Sequence, residues 1–370
     1  MTEDGTVPGL ENVSQLARWL SKNGVTAADH LPTAELIAGG RSNLTYRLTF
    51  EGPAGPVRLV LRRPPLGHVL PTAHDMAREY RVISALHGTG IPVAGPVAFC
   101  SDPDVIGAPF YVMEHVDGLV LRTKEQASLI TQQQAGQISE RLAEMLAAIH
   151  GVDLARAGLS DFGRPAGYMQ RQFARWQRQW ELSVTREVPG YDELVARLAA
   201  GLPGEAGKGA GQARAPGEAG GTLVHGDYRL DNMLLALGDE PRISAVVDWE
   251  MSTLGDPLAD LGLSLVYWAD PSDTEWVDLE VGASVTSAPG FLTREQFAAA
   301  YAARSGRDLS GIGYYMAFGC FKLAVVLEGI NARFLQNKTV GEGFDREGRA
   351  VPVLIRRAHR MLDENPLAPS

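Results

Sequence analysis

The sequence predicts an α+β protein with a sheet-rich first part and a larger helical remainder. Two observations carry this. Between Ala34 and Leu61 apolar and polar residues alternate in short runs broken by Gly and Pro. From Thr131 onward the apolar residues recur at helical spacing instead. A chain of 370 residues has room for more than one domain, and its 45% apolar content supports a large core.

The elements follow in order. "NVSQLARWLSKNG" has helical periodicity and a Gly stop, so a short helix opens the fold. "AELIAGGRSNLTYRLTF" and "GPVRLVLRR", separated by "EGPAGP", read as strand, turn, strand. "TAHDMAREYRVISALHGTG" is an amphipathic helix, and "VAGPVAFCSD" and "APFYVMEHVDG" are two further strands. Three helices come next, in "ISERLAEMLAAIHGV", "GYMQRQFARWQRQWELS" and "YDELVARLAAGL". Residues 203–221 are almost wholly Gly, Ala, Pro and a few charges. Such a stretch has too little apolar surface to offset its ordering entropy, so it is expected to be a mobile insertion within the second domain. "TLVHGD", "NMLLAL" and "ISAVVDWE" read as short strands, and helices run from there to "RRAHRMLDE". The expected division is 1–117 and 118–370.

The bulk numbers exclude some functions. A net charge of -10 argues against nucleic acid and anionic membrane surfaces as main partners. The two cysteines are far apart and lack metal-ligand spacing, which suits a reducing cytoplasm and offers no disulfide framework. The N-terminal residues are acidic and lack a signal-peptide core, and no apolar run reads as long enough to span a bilayer. The expectation is a soluble cytoplasmic protein.

The chemistry concentrates in "LVHGDYRLDNMLL", where His225, Asp227, Arg229, Asp231 and Asn232 sit between apolar ends. One reading is a turn in which Asp231 and Asn232 cap backbone groups and His225 is a satisfied core residue. The other follows from what phosphoryl transfer requires. The acceptor hydroxyl must be oriented and its proton accepted, magnesium must be held by hard oxygen atoms, and positive charge must offset the transferring group. A His-x-Asp-x-x-x-x-Asn loop followed by an Asp after an apolar strand meets those needs. His225, Asp227 and Asn232 have that spacing, and Asp248 follows "ISAVV". Asp227 is then the base, with Asn232 and Asp248 the magnesium ligands.

With "ISAVVDWEMSTLGDPLADLG" and "GYMQRQFARWQRQW" beside that loop, the sequence resembles the aminoglycoside phosphotransferase-like family of the protein-kinase-like superfamily. It is most similar to the branch found fused to some acyl-CoA dehydrogenases, and the likeness covers roughly residues 33–340. Gly226 and the "DWE" triplet match the family's form of the loop and metal motifs. The resemblance implies a two-lobed kinase-like fold, with a small sheet-rich nucleotide-binding lobe and a larger helical catalytic lobe. It also implies ATP or GTP with Mg²⁺ as cofactors.

On that resemblance "AGGRSNLTYRLTF" occupies the phosphate-loop position, with Gly40 and Ser42 offering backbone N–H groups. The lysine that the family places on the next strand is absent. Arg62 stands there, with Glu79 as its expected partner, while Arg63 is sent to the opposite face by the strand's alternation. "FYVMEHVDG" matches the hinge, where the backbone of Glu114 and Val116 would bond the base. Asp260 is expected to hold catalytic-loop backbone. Trp176 and Trp180, one helical turn apart, read first as a core pair and second as a substrate-facing one. The implied activity is transfer of a γ-phosphoryl group to a hydroxyl of a small metabolite, with a hydroxyacyl compound, an amino alcohol or a sugar as candidate classes. Aminoglycosides themselves are not favoured, because fold and loop do not specify the acceptor. The alternative is a nucleotide-binding scaffold with little transfer activity, encouraged by the missing lysine.

Overall fold

A computed structural model describes residues 7–10, 12–26, 31–37, 43–51, 55–66, 75–203, 221–271, 273–277, 284–336 and 347–364. Gly40, Ser42 and most of the 203–221 insertion lie outside the described residues. The contacts group the chain into two units, Met1–Gly118 with Ser244–Glu250, and Leu119–Ile243 with Met251–Ser370. A single cut at 117/118 does not contain the return of Ser244–Glu250 to the first unit.

In the first unit, α1 (Val13–Lys22) starts at Asn12, whose side chain accepts from the Gln15 N–H at 3.1 Å. Three strands follow, β1 (Thr33–Leu36), β2 (Leu44–Phe50) and β3 (Val57–Arg63), then α2 (Met76–Leu86), β4 (Pro96–Cys100) and β5 (Phe110–Glu114). They form one antiparallel sheet in the order β1-β2-β3-β5-β4. Period-two alternation decides which face each side chain enters. Tyr46, Leu48 and Phe50 of β2, Leu59 and Leu61 of β3, and Phe110 and Val112 of β5 share a core with Leu16 and Leu20 of α1. A ten-residue helix is marginal alone, so this docking is what holds α1. Leu16 is fully buried, and Leu16→Ala is expected to cost about 2–5 kcal/mol.

Arg63 points into the same side. It is buried, donates from Nη1 to the Gly9 carbonyl and to the Ile106 carbonyl at 2.8 Å, and from Nε to the Pro64 carbonyl. Arg62, one residue earlier, is directed to the face that carries Glu79 of α2.

The second unit contains α3 (Gln132–His150), α4 (Tyr168–Ser183), α5 (Tyr191–Ala200), β6 (Thr222–Val224) and β7 (Met233–Ala236). β8 (Arg242–Val246) leads into the returning segment. After it come β9 (Thr253–Gly255), α6 (Pro257–Tyr267), α7 (Thr274–Val277), α8 (Arg294–Ser305), α9 (Ile312–Leu335) and α10 (Glu347–Glu364). β6 pairs antiparallel with β9, matching Leu223 to Leu254. A capping box of Thr131 with Gln134 starts α3. Asp256 caps α6, accepting from the Leu258 N–H at 3.0 Å, with Pro257 at the first helical position.

α9 packs on α6, α4 and α10. At the α6 crossing there is no room for a side chain on Gly262, whose added Cβ would lie 2.6 Å from the Tyr315 backbone. One expectation is corrected here. α9 spans 24 residues and is long and apolar enough to cross a membrane. Its apolar character has another cause, since most of its apolar stretch is buried inside the protein.

Candidate active site

Within the first unit a buried cation is ringed by acids. The register sets Arg62 between Thr45 on one neighbouring strand and Tyr111 on the other. Its Nη2 lies 2.9 Å from Asp248 Oδ1, 3.3 Å from Glu79 Oε1 and 3.8 Å from Glu250 Oε2. Burial works against the Arg62 charge, but Glu79, Tyr111, Asp248 and Glu250 outweigh it and hold its pKa well above the ordinary value. Burial raises Glu79, with Arg62 opposing, and the Tyr111 hydroxyl is hydrogen-bonded to it. The guanidinium stays charged, because no available pH removes its proton.

Asp248 is the single described non-glycine residue with a left-handed backbone, at φ 68°. Such a conformation costs about 1–3 kcal/mol and persists where surrounding structure over-determines it. Here the Trp249 indole donates to the Val246 carbonyl at 3.0 Å, and Arg62 grips the carboxylate. Two residues on, Glu250 accepts from Asn43 Nδ2 at 2.8 Å, tying the start of β2 to the returning segment. Two buried atoms of the cluster, Arg62 Nε and Glu79 Oε2, make no hydrogen bond within the protein. At the predicted hinge the Glu114 N–H is taken by the Gly95 carbonyl at 2.8 Å, so that residue has only its carbonyl left to offer a ligand. Val116 is half-buried just beyond it.

In the second unit, β6 delivers His225, Gly226 and Asp227 into a loop that a short helical turn at Leu230–Asn232 closes before β7. Asp260 of α6 anchors this loop, as the sequence predicts. Its Oδ2 accepts from the His225 N–H at 2.6 Å and its Oδ1 from the Gly226 N–H at 2.9 Å. His150 Nε2 meets Oδ2 at 3.2 Å, and its Nδ1 meets the Tyr301 hydroxyl at 2.7 Å. Burial holds His150 below its ordinary pKa, with Asp260 opposing, so it is neutral, donating from Nε2 and accepting at Nδ1. Burial would raise Asp260, but the His150 bond, the two neighbouring histidines and the His225 N–H outweigh it and hold it low.

The Asp227 carboxylate is set by its own loop. Asn232 Nδ2 donates to the Asp227 carbonyl at 2.8 Å and to its Oδ2 at 3.2 Å, and the Tyr267 hydroxyl is hydrogen-bonded to the same residue. Arg229 pairs with Asp231 and lies over the Tyr267 ring, 4.3 Å from its centre. Asp231 is therefore a structural partner. Because Asn232 spends its amide N–H groups on Asp227, its Oδ1 is left to face a ligand.

Within the first unit Asp248, its side chain 32% exposed, keeps a carboxylate oxygen beyond the one that Arg62 takes, and within the second unit Asn232 keeps its amide oxygen. These are hard donors of the type magnesium accepts when phosphates and water complete its shell. No cluster of three or more His, Cys, Asp or Glu suited to a metal occurs among the described residues.

Of the tryptophan pair, both are buried, and Trp180 stacks on Tyr191 with ring centres 4.1 Å apart. That is a core contact. Three contributors escaped the sequence reading: His150, Tyr267 and Lys322. Lys322 left a signal, a lone cation inside "MAFGCFKLAVVL".

The phosphotransferase enzyme family model matches residues 33–299. The chain belongs to this family. Within it, the relatives include acyl-CoA dehydrogenase family member 11 of Gallus gallus, 34% identical over 326 residues, covering 86% of this chain. The chain spans 39% of that relative's length. A Ralstonia eutropha crystal structure, provisionally assigned as an aminoglycoside phosphotransferase, is 30% identical with a TM-score of 0.75 and covers 95% of this chain and 98% of its own. A choline/ethanolamine kinase family protein from Mesorhizobium loti shares the fold at 18% identity and TM-score 0.55, over 94% and 95% of the two chains. The phosphotransferase family and the two-lobed, kinase-like α+β fold thus agree with the resemblance carried by the loop motifs.

Proposed function

We propose that this phosphotransferase moves the γ-phosphoryl group of ATP or GTP to a hydroxyl of a small metabolite, with Asp227 as the base. The observation that carries the reading is the posture of Asp227. Its carboxylate is oriented by Asn232 and Tyr267, and the backbone behind it is fixed by Asp260. A carboxylate held this way can orient an acceptor hydroxyl and accept its proton. Asn232 and Asp248 would hold magnesium, which when bound would neutralise charge on the phosphates. Arg62 would contact the phosphates in place of the family's lysine, Gly40 and Ser42 would supply loop N–H groups, and the Glu114 carbonyl and the Val116 N–H would bond the base. Glu79 holds Arg62.

The acceptor class follows less directly. One relative is named acyl-CoA dehydrogenase family member 11, and one fold neighbour is named as a choline/ethanolamine kinase family protein. Hydroxyacyl compounds, amino alcohols and sugars are therefore the classes to screen. Two buried free cysteines and a net charge of -10 support a cytoplasmic setting without nucleic acid or membrane partners. The second reading, a nucleotide-binding scaffold, is favoured by the three carboxylates that already engage Arg62.

The test is a nucleotide-consumption screen over hydroxylated metabolites with ATP or GTP, with and without Mg²⁺, followed by Asp227→Asn on the best acceptor. General-base loss lowers turnover about a hundredfold to ten-thousandfold. Nucleotide binding in the presence of Mg²⁺ should persist. A variant keeping more than about a tenth of wild-type turnover overturns the assignment of Asp227. Absence of turnover by the wild type on every acceptor favours the scaffold.

A further inference from the structure

We propose that Lys322 of α9 is a positioning residue that clamps the peptide plane preceding Asp227. This rests on the reading of Asp227 as the base. Lys322 Nζ donates to the Gly226 carbonyl at 2.7 Å. The Gly226 carbonyl and the Asp227 N–H belong to one planar peptide unit. That N–H donates to His225 Nδ1 at 3.3 Å, so the unit is held at both ends. On the preceding unit, the Gly226 N–H is held by Asp260. With planes on either side of its Cα fixed, Gly226 keeps a φ of +85°. An added Cβ there would lie 2.6 Å from the Met251 carbonyl oxygen, so the backbone has one place to be. The direction of the Asp227 Cα–Cβ bond follows from that plane, and among the described residues Lys322 is the side chain that holds its carbonyl end.

The surroundings of Lys322 argue against an incidental contact. α9 carries three charged residues in 24, Lys322, Glu328 and Arg333. Burying an ammonium is costly without compensation, and burial lowers the Lys322 pKa, with Asp227 and Asp260 opposing and Arg175 adding to the fall. Trp176 lies beneath it, 5.5 Å from Nζ to the ring centre. Tyr168 and Gln172 of α4 line the same small cavity with Gly226 and Asp260. The helix therefore places a partly buried cation against a single carbonyl, next to the proposed base. A residue kept only for packing would be better served by Met or Leu.

The experiment uses the full chain with Lys322→Met and Lys322→Ala. Lys322→Met keeps the length and removes the donor. Hydrogen exchange of the His225–Asn232 amides should quicken about tenfold, while the thermal midpoint holds or rises because a partly buried charge is gone. On the best acceptor, kcat should fall about a hundredfold, the loss expected from a misplaced catalytic group. The nucleotide KM should stay within about twofold. In Lys322→Ala, propylammonium should restore part of kcat, and tetramethylammonium at equal ionic strength, having no N–H, should not. Loop exchange unchanged in Lys322→Met overturns the clamp. So does faster exchange across the whole second unit with a lower thermal midpoint, which marks a merely structural role. Equal rescue by the two cations also counts against it. If the wild type phosphorylates no acceptor, the proposed function fails, and loop exchange still decides the clamp by itself.

Discussion

Asp260→Asn tests the anchor of the catalytic loop with a change of one heavy atom. The carboxylate accepts three hydrogen bonds, two from backbone N–H groups and one from His150. An asparagine can keep its oxygen where Oδ2 stands and so retain the His225 and His150 bonds. Its amide nitrogen then replaces Oδ1 and faces the Gly226 N–H, donor against donor. One bond to a charged acceptor, worth about 1.5–3 kcal/mol, is lost. A buried donor left unsatisfied adds about 1–3 kcal/mol. The opposite amide rotamer sacrifices two bonds and is worse. The expected destabilisation is therefore about 3–5 kcal/mol, roughly 10 °C in melting temperature for a unit of this size. Urea unfolding followed by tryptophan fluorescence measures it, and hydrogen exchange locates it. A loss under about 1 kcal/mol, within the range of ordinary surface changes, would show that Asp260 does not carry the loop.

Arg62→Met and Arg63→Ala should separate function from stability. The first should weaken Mg²⁺–nucleotide binding or lower kcat, read by calorimetry and steady-state kinetics. The second should leave kinetics near wild type but cost about 1–3 kcal/mol, because Arg63 holds the Gly9 and Ile106 carbonyls on the other face. Stability should also fall with acid in two steps. His150 is held below its ordinary 6.5, so as pH drops below that value the unfolded chain takes a proton that the folded one refuses. Asp260 is held below its ordinary 3.8, so a second loss follows as pH falls through its folded value. A His150→Gln variant whose stability has the same pH slope as wild type between pH 7 and 5 would contradict the first step.

Much of this was legible in the residues because local rules govern it. Period-two alternation put Arg62 and Arg63 on opposite faces, and the loop spacing singled out Asp227, Asn232 and Asp248. Glu79 could be named as a partner because its helix matches the pairing helix that the resemblance implies. Other features depend on packing between distant elements, for which sequence carries little signal. His150 meets Asp260, the anchor of the loop, from a helix 110 residues upstream, and Lys322 reaches Gly226 from 96 residues downstream. The apolar length of α9 was missed in the sequence, and a largely buried helix and a membrane span differ in their neighbours and not in composition. The left-handed backbone at Asp248 had no composition cue either, because Gly or Asn would be the usual signal.

The return of Ser244–Glu250 to the first unit has a consequence for synthesis on the ribosome. Arg62 and Asp248 are 186 positions apart. A nascent chain that has emerged only through Gly118 contains the five-stranded sheet and the Arg62–Glu79 pair but neither Asp248 nor Glu250. At ordinary elongation rates of about 5–20 residues per second, the guanidinium waits on the order of 10 s for its remaining carboxylates. The first unit is thus first to be made but not first to be finished. A prolyl or charge-altering change in residues 244–250 would be felt by strands completed long before it was translated.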